Sequence, residues 1–344
     1  EKLQTVSCYF QGREVEDTDK TPVLLKNNWF SKLFEPIGAL YALPSYKELD
    51  LTPFFAPFYW LFFGFCLGDA GYGALLAGAG VVATYKIKDQ KLVPYMKLIT
   101  LLGISTILFG IIGGTFFGIG LYDEKWWIYG ELNERLAQKG KTINDVLFSL
   151  AIVFGAIQIL FGMMLKAANE IKQQGWKYSI GTIGWLILIL GMAGIQAQSK
   201  EVQALQSTQV IQYAVLGISG VMILLLNSPG KGLLSNIGSG LWGAYNMATG
   251  LLGDLLSYIR LFALGISSAI LGFVFNMLSA QLSGDIPVVS ILIMIVILLF
   301  GHGINMFMGV LGSFVHSMRL TFVEFYKNSN FEGGGKAYQP FSKK

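Results

Sequence analysis

The feature that most constrains this sequence is an apolar stretch at residues 250–282 that carries an arginine, Arg260, in its first half. The stretch is long enough to cross a bilayer, which takes about 20 apolar residues. An arginine deep in hydrocarbon costs roughly 3 kcal/mol on insertion scales. We therefore expect Arg260 to face protein or water and to have a functional partner.

The composition indicates an integral membrane protein. Of 344 residues, 53% are hydrophobic and only 13% are charged, whereas soluble domains contain about 25% charged residues. Cys8 and Cys66 lie far apart, and Cys66 is inside an apolar run, which argues against a disulfide framework or a zinc site. The polar start without a methionine leads us to expect a larger upstream part.

Apolar segments along the chain predict an all-α, polytopic membrane protein with about eight transmembrane helices. The predicted spans are residues 53–67, 74–85, 98–121, 146–165, 178–196, 210–226, 250–282 and 288–319. Residues 233–249 are either an interfacial helix or the entry to the seventh span. The last two spans are the longest, which predicts strong tilt or a cytoplasmic extension.

Composition also divides the chain into four parts. The predicted parts are a cytosolic, water-exposed lead-in with interfacial aromatic residues such as Trp29 and Phe30 (1–50), a six-helix scaffold (51–228), two long tilted helices with polar stripes (229–328) and a cytoplasmic tail (329–344). The loops 86–97 and 166–177 are rich in lysine, whereas the loop 122–145 has mixed charge. The positive-inside rule places the lysine-rich loops, and with an even number of spans both termini, in the cytoplasm.

The seventh span carries a stripe of small and polar residues on one helical face. Its members are Gly253, Ser257, Arg260, Ala263, Leu264, Ser267 and Ser268. Small residues allow another helix to approach closely, and Asp254 lies on the cytoplasmic side of the arginine. The alternative is a structural ion pair between Arg260 and an acid on another helix.

The eighth span carries a second stripe, which contains both histidines of the chain. Its members are His302, Asn305, Gly309, Gly312, Ser313, His316 and Arg319. Ionisable residues inside a membrane are a functional hypothesis by default, and histidine can relay protons. The alternative is that His316 and Arg319 only anchor the membrane boundary. Glu324 lies near the cytoplasmic rim, more than a third of a helical turn off this face.

The segment GDAGYG, residues 68–73, allows a tight reversal after the first span. Its Asp69 is either a turn-capping residue or a polar entrance to a water-filled path. The segment lacks the lysine and the strand of a phosphate loop. No nucleophile–base set, metal-ligand spacing, nucleotide motif or cofactor site is recognisable, so we do not expect an autonomous enzyme.

The polar residues predict two partial pathways that do not meet. Asp254 and Glu324 belong to the cytoplasmic one, and the other contains Asp69, Ser267, Ser268, His302 and Asn305. An ion could then cross only if a moving partner carried it between the two halves. A fixed cation at the boundary would force a carboxylate on that partner to release its proton and would block leakage.

Five motifs together resemble the membrane half of subunit a, called subunit I in bacteria and archaea, of V-type rotary ATPases. They are TPVLLKN, LPSYKELDLTPFFAPF, GDAGYG, LLGDLLSYIRLFALG and VHSMRLTFVEFYKNSNFEGGGKAYQPF. The resemblance implies eight membrane helices preceded by a cytosolic arm. It also implies that Arg260 is an essential arginine facing the proteolipid c-ring, with Arg319 as its companion, between two offset half-channels.

The resemblance further implies a non-catalytic subunit that translocates H⁺ or Na⁺. Its implied partners are the c-ring, peripheral-stalk subunits, a central-stalk subunit and membrane lipid, and no nucleic acid is expected. Relatives with eukaryotic patterns carry an acid at the position of Gly309 and often a histidine at that of Ser268. We therefore expect His302 and Asn305 to substitute. The short loops resemble those of prokaryotes, which predicts a plasma-membrane location.

Two rival functions remain open at this point. A self-contained secondary transporter could use Arg260 to bind an anion; this predicts internal repeats, but the arginine motifs occur only in the last third of the chain. A membrane scaffold that anchors the peripheral stalk would tolerate changes in the seventh and eighth spans.

Overall fold

The computed structural model describes residues 22–45, 48–89, 92–122, 127–196, 206–226, 233–282 and 287–338. The helices are α1 (Trp29–Lys32), α2 (Glu35–Tyr41), α3 (Thr52–Leu67), α4 (Ala70–Lys86), α5 (Val93–Gly113), α6 (Trp127–Gln138), α7 (Ile143–Gln174), α8 (Ile180–Gln196), α9 (Gln206–Leu225), α10 (Leu233–Leu282), α11 (Pro287–Arg319) and α12 (Tyr326–Asn328), with a π-helix at Leu320–Phe325. The strands are β1 (Pro22–Val23), β2 (Thr115–Phe116), β3 (Ile119–Gly120) and β4 (Lys336–Ala337). The all-α prediction is confirmed.

Helix α3 is the aromatic centre of the fold. Its almost completely buried side chains include Phe55, Tyr59, Phe62, Phe63 and Leu67. A helix that is apolar on all sides is typical of a buried position, and α3 packs against α5, α10 and α11. The Trp60 indole N–H donates to the Leu101 carbonyl at 2.7 Å, and the Ser105 hydroxyl donates to the Trp60 carbonyl at 2.5 Å.

The lead-in and the C-terminal tail meet at one end of the helices. Strand β1 pairs in parallel with β4, with Pro22 opposite Lys336. The carboxylate of Glu48 accepts the backbone N–H groups of Glu332 and Gly333, at 2.9 and 3.1 Å. The two ends of the described chain therefore lie together, although residues 1–21 are outside the described part.

Part of the lead-in belongs to the core. Trp29 is exposed, as predicted, but Phe34 and Ile37 are buried against α3 and the aromatic residues that follow the π-helix. The prediction of a wholly water-exposed lead-in is therefore wrong for these residues. The physical reason is that the short helices α1 and α2 have an apolar side of their own, which the sequence shows only weakly over so few residues.

Helices α4 and α5 approach each other through glycines. Gly73 and Gly80 on α4 are two turns apart, as are Gly103 and Gly110 on α5, so each pair shares a face. A Cβ added at Gly73 would lie 2.7 Å from the backbone nitrogen of Ile107. These glycines are therefore helix-packing residues, because a side chain there has no room.

The third apolar segment ends earlier than predicted. Helix α5 stops at Gly113, and residues 115–120 form an antiparallel hairpin of β2 and β3 instead of completing a span. Gly114 and Gly118 have φ values of +65° and +73°, which favour glycine. Glycines that look like part of an apolar span therefore end the helix and turn the chain.

The segments around the fourth span are more helical than predicted. Residues 127–138 of the predicted loop form α6, and α7 begins at Ile143, where Thr142 and Asp145 form a capping box. Helix α7 also continues through most of the lysine-rich segment 166–177, because its residues are good helix formers. The loop boundaries at both ends of this span were wrong.

The two helices with the polar stripes are long. Helix α10 contains 50 residues and α11 contains 33, or roughly 75 and 50 Å by helix rise. Residues 233–249 are continuous with the seventh span. They therefore form the entry to that span and not a separate interfacial helix. Since a hydrocarbon core is about 30 Å thick, α10 must tilt strongly or extend beyond it.

Four helical segments in the described residues are long and apolar enough to cross a membrane: Val93–Gly113, Ile143–Lys172, Ser235–Leu282 and Val289–Asn328. Three shorter apolar segments, Thr52–Leu67, Ile180–Gln196 and Thr208–Leu224, fall below that length. The protein is therefore a membrane protein, while the count of eight spans stays a prediction.

The glycine contact between α4 and α5 predicts the effect of a single methyl group. In Gly80→Ala, the new Cβ would lie 2.8 Å from the backbone nitrogen of Thr100, so we expect destabilisation by about 1–3 kcal/mol from overpacking. The control is Gly78→Ala on the same helix, where a Cβ meets no atom within 4 Å. Thermal unfolding of the purified protein measures both, and equal melting temperatures would contradict the assigned contact.

Candidate functional site

Arg260 lies at the boundary between the core and an open face of α10. Its neighbours Tyr258 and Leu261 are fully buried, whereas Arg260 is partly exposed. The Tyr258 hydroxyl donates to Gln158 Oε1 at 2.7 Å, and its ring packs so closely on Gly155 that a Cβ would not fit there. These contacts fix the rotation of α10 about its axis. Among the described residues, Arg260 forms no ion pair with an acid.

Three basic side chains from the two stripes converge near this point. His316 on α11 is close enough to interact electrostatically with both Arg260 and Arg319. Its Nδ1 atom is buried and has no hydrogen-bond partner among the described residues. The packing of α10 against α11 thus brings together three basic side chains, which we call the arginine region: Arg260, His316 and Arg319.

Glu324 belongs to the same region because the helix changes its winding. An α-helical wheel places Glu324 off the face of Arg319, but residues 320–325 form a π-helix with i→i+5 hydrogen bonds. Residues five apart come closer to one face, and Glu324 Oε1 lies 3.9 Å from Arg319 Nε. Glu324 is 2% exposed, and its Oε2 atom has no partner among the described residues.

Asp254 lies close to the same end of the helices and is nearly buried. Its Oδ2 accepts from Asn328 Nδ2 at 2.8 Å, and its Oδ1 is 3.6 Å from Lys327 Nζ. Tyr258 interacts electrostatically with both Asp254 and Glu324. The structure therefore brings together the two acids that the sequence assigned to one side.

The three serines of the stripe on the seventh span have different environments. Ser257 is buried and donates to the Gly253 carbonyl at 3.2 Å. Ser267 is exposed, whereas Ser268 is 7% exposed and its hydroxyl has no partner among the described residues. Ser267 and Ser268 thus face different surroundings, although both were assigned to one stripe.

Asp69 is the N-cap of α4 and is 1% exposed. Its Oδ1 accepts N–H groups of Gly71 and Tyr72 at 2.8 and 3.2 Å, as expected at a helix N-terminus. The carboxylate also accepts the N–H groups of Phe117 and Gly118 in the hairpin, at 2.9 and 2.8 Å. The capping role is confirmed, and the role at a polar entrance stays a prediction.

A hydrogen-bonded network lies directly beyond this cap. Tyr72 Oη is 2.7 Å from His302 Nδ1, and Asn305 Nδ2 donates to Tyr72 Oη at 3.0 Å and to the Ser268 carbonyl at 2.9 Å. His302 Nε2 is 3.0 Å from Asn276 Oδ1. We call these four side chains the histidine network: Tyr72, Asn276, His302 and Asn305.

Sequence reasoning missed two members of the network. Tyr72 was noted only as part of a glycine-rich turn, and Asn276 was not singled out at all. A signal for Asn276 was present, since an amide in an apolar span usually hydrogen-bonds across helices. Its Nδ2 donates to the Phe117 carbonyl at 2.8 Å, which connects α10 to the hairpin.

The histidine network and the arginine region are separate. Along α11, His302 and His316 are roughly 20 Å apart by helix rise. The intervening residues of α11 carry no charge, nor do those of α10 between Arg260 and Asn276. Among the described residues, no group of three or more histidine, cysteine or acidic side chains could hold a metal ion.

Comparison with known proteins identifies the family. Residues 250–343 match the family described as "V-type ATPase 116kDa subunit family". The chain is 33% identical to the A-type ATP synthase subunit I of Methanocaldococcus jannaschii over 95% of its length and 50% of that protein. It is 28% identical to the V-type ATP synthase subunit I of Borreliella burgdorferi, over 97% of its length and 56% of that protein.

The matches agree with the motifs from which the resemblance was recognised. The chain spans about half the length of the curated relatives it matches. The family match covers the whole of α11 and most of α10, and therefore includes Arg260, His316, Arg319 and Glu324. The chain belongs to the V-type ATPase 116kDa subunit family.

Proposed function

We propose that this protein is the static ion-translocating subunit of a rotary ATPase, with Arg260 facing a proteolipid c-ring. The observation that carries the proposal is the arginine region, where Arg319 pairs with Glu324 and Arg260 has no ion pair with an acid among the described residues. Such an excess of positive charge in an apolar bundle is costly unless an anion completes it. A carboxylate on a moving ring supplies that anion from outside.

The surface around Arg260 suits a close helical neighbour. Arg260 lies in an exposed stripe of α10 whose other members are Leu256, Ala263, Ser267 and Ile270. Steps of three and four residues are the spacing of a helix–helix contact, and Ala263 and Ser267 are small enough for close approach. We assign this stripe to contact with the ring.

A guanidinium in this position performs two tasks. It is positively charged at any physiological pH, and an opposite charge within a few ångströms favours the ionised form of a carboxylate. Each ring acid that reaches Arg260 therefore releases its ion. Because the guanidinium is fixed on α10, it also prevents ions from passing directly between the two half-channels.

The two polar groups of residues supply the proposed half-channels. Glu324, Asp254, Ser257 and His316 lead from the cytoplasmic end toward the arginines. On the other side, the residues are Asp69, His302, Asn305, Ser267 and Ser268. The uncharged stretch of both helices between the two groups supports a break in the path. An ion crosses only after rotation of the ring, and each charge couples to the membrane potential at about 2.3 kcal/mol per 100 mV.

The proposed partners and location follow from the same assignment. The c-ring, peripheral-stalk subunits and a central-stalk subunit would complete the complex, which moves H⁺ or Na⁺ during ATP hydrolysis or synthesis. The pairing of β1 with β4 supports an arrangement with both described ends on one side of the membrane. The lysine-rich loops favour the cytoplasm for that side.

Arg260→Ala should uncouple the assembled complex. Since a nearby cation changes the pKa of a carboxylate by about 1–3 units, ATP-driven ion uptake into vesicles should fall roughly tenfold or more. The matched control is Arg135→Ala, because Arg135 is exposed on α6 and pairs only with Glu131 among the described residues. Uptake at the wild-type level in Arg260→Ala would contradict the proposal. If that uptake came with poor assembly of the complex, the protein would instead be a membrane scaffold that anchors the peripheral stalk.

Glu324→Gln tests the cytoplasmic half-channel. The substitution preserves the size of the buried side chain but removes the charge that faces Arg319. We expect slower ATP-driven uptake, by about tenfold, with unchanged assembly of the complex. Glu131→Gln, which removes an exposed acid from α6, is the control. Equal uptake rates for the two variants would remove Glu324 from the proposed path.

A further inference from the structure

The histidine network is anchored at both ends by backbone carbonyls, which can only accept hydrogen bonds. At one end, the Phe117 carbonyl requires the NH₂ group of Asn276, so the Asn276 oxygen faces His302. At the other end, the Ser268 carbonyl requires the NH₂ group of Asn305, which therefore also donates to Tyr72 Oη. These two anchors determine the direction of the bonds between them.

The directions specify one protonation state of His302. Its Nε2 faces an acceptor, Asn276 Oδ1, and must carry a proton. Tyr72 Oη already accepts a hydrogen bond from Asn305, and its own proton is satisfied by His302 Nδ1 at 2.7 Å. Every hydrogen bond of the histidine network is therefore satisfied when the His302 imidazole is neutral and carries its proton on Nε2. A proton on Nδ1 would leave the Tyr72 hydroxyl without its acceptor.

Among the described residues, few charged or titratable groups lie near His302. Asp69, at the N-terminus of α4, is the charged residue that interacts electrostatically with it among the described residues. Helix α4 also contributes Tyr72, α10 contributes Asn276, and the hairpin contributes the ring of Phe117. The Asp69 carboxylate accepts hydrogen bonds from four N–H groups, and within the described part of the chain it has no hydrogen bond to His302.

We propose that Tyr72 is a positioning residue that holds His302 as the neutral Nε2–H tautomer, so that His302 can take up a proton at Nδ1 only when the Tyr72 hydroxyl turns away. The proton adds to the Nδ1 lone pair from water and returns to water on release, while Tyr72 keeps its own proton. The inference rests on the proposed function in one respect, the assignment of His302 to the non-cytoplasmic half-channel. The inference adds Tyr72 and Asn276 to the non-cytoplasmic half-channel and makes ion transport through that half-channel sensitive to pH.

The test compares Tyr72→Phe with Tyr59→Phe in the assembled ATPase complex. Tyr59 is a matched control because it is equally buried in the bundle, and its hydroxyl makes only a 3.4 Å contact with the Phe314 carbonyl. The first measurement is the ¹⁵N spectrum of labelled histidine, with His302 assigned by difference from His302→Gln. The second is the dependence of ATP-driven ion transport on pH at the non-cytoplasmic side.

We expect the neutral imidazole to carry its proton on Nε2 in wild type, Tyr59→Phe and Tyr72→Phe, because Asn276 Oδ1 still faces Nε2. In Tyr72→Phe alone, the imidazolium form should appear at higher pH. Without the hydroxyl donor, Nδ1 is free to accept a proton, so the acid-side midpoint of transport should move to higher pH by roughly 0.5–1 unit, the equivalent of one hydrogen bond. A wild-type ¹⁵N titration of His302 together with a wild-type transport midpoint in Tyr72→Phe would overturn the inference. So would a wild-type spectrum with the proton on Nδ1.

Failure of the proposed function would look different. If Arg260→Ala transports ions normally, the rotary assignment is wrong, whatever the histidine spectra show. If Arg260→Ala is inactive but His302→Gln retains the wild-type pH profile, His302 lies off the ion path and the inference is overturned, while the role of Arg260 stands.

Discussion

The end of the bundle that carries the histidine network depends on one buried carboxylate. An ionised carboxylate without water is costly unless hydrogen bonds replace its hydration, and Asp69 receives four backbone N–H groups. Two come from the first turn of α4, where the helix dipole also favours a negative charge. The other two come from the β2–β3 hairpin. The Phe117 carbonyl of that hairpin holds Asn276, and Asn276 in turn holds His302.

The two polar regions of the protein follow opposite principles. Every polar atom that orients the histidine network has a partner within the chain, which gives His302 a defined position and tautomer. In the arginine region, by contrast, one oxygen of Glu324 and one nitrogen of His316 are buried without a partner among the described residues. Buried polar atoms of this kind call for an explanation. Complete pairing suits a positioning role, and incomplete pairing suits a site that a partner or water completes.

Reasoning from the sequence was most successful where a signal is local and repeated. Apolar runs predicted helices close to the observed α3, α4, α8 and α9. Boundaries were wrong where helix propensity and apolarity disagree: polar residues with good propensity extend α7, and apolar residues with glycines end α5 and form a hairpin. The predicted placement of Glu324 off the helical face of Arg319 is wrong, because a helical wheel assumes α-helical winding throughout. Residues 320–325 instead form a π-helix.

The sequence by itself determined that this is a helical membrane protein with an arginine in an apolar span and two polar stripes. These properties follow from composition and from the period of 3.6 residues, which depend only on neighbours along the chain. Only the tertiary structure decided that Tyr72 meets His302, that Asn276 meets the hairpin, and that His316 comes close enough to Arg260 to interact with it electrostatically. Contacts between helices depend on how closely and at what rotation the helices pack, and that is determined by distant residues such as the glycines of α4 and α5.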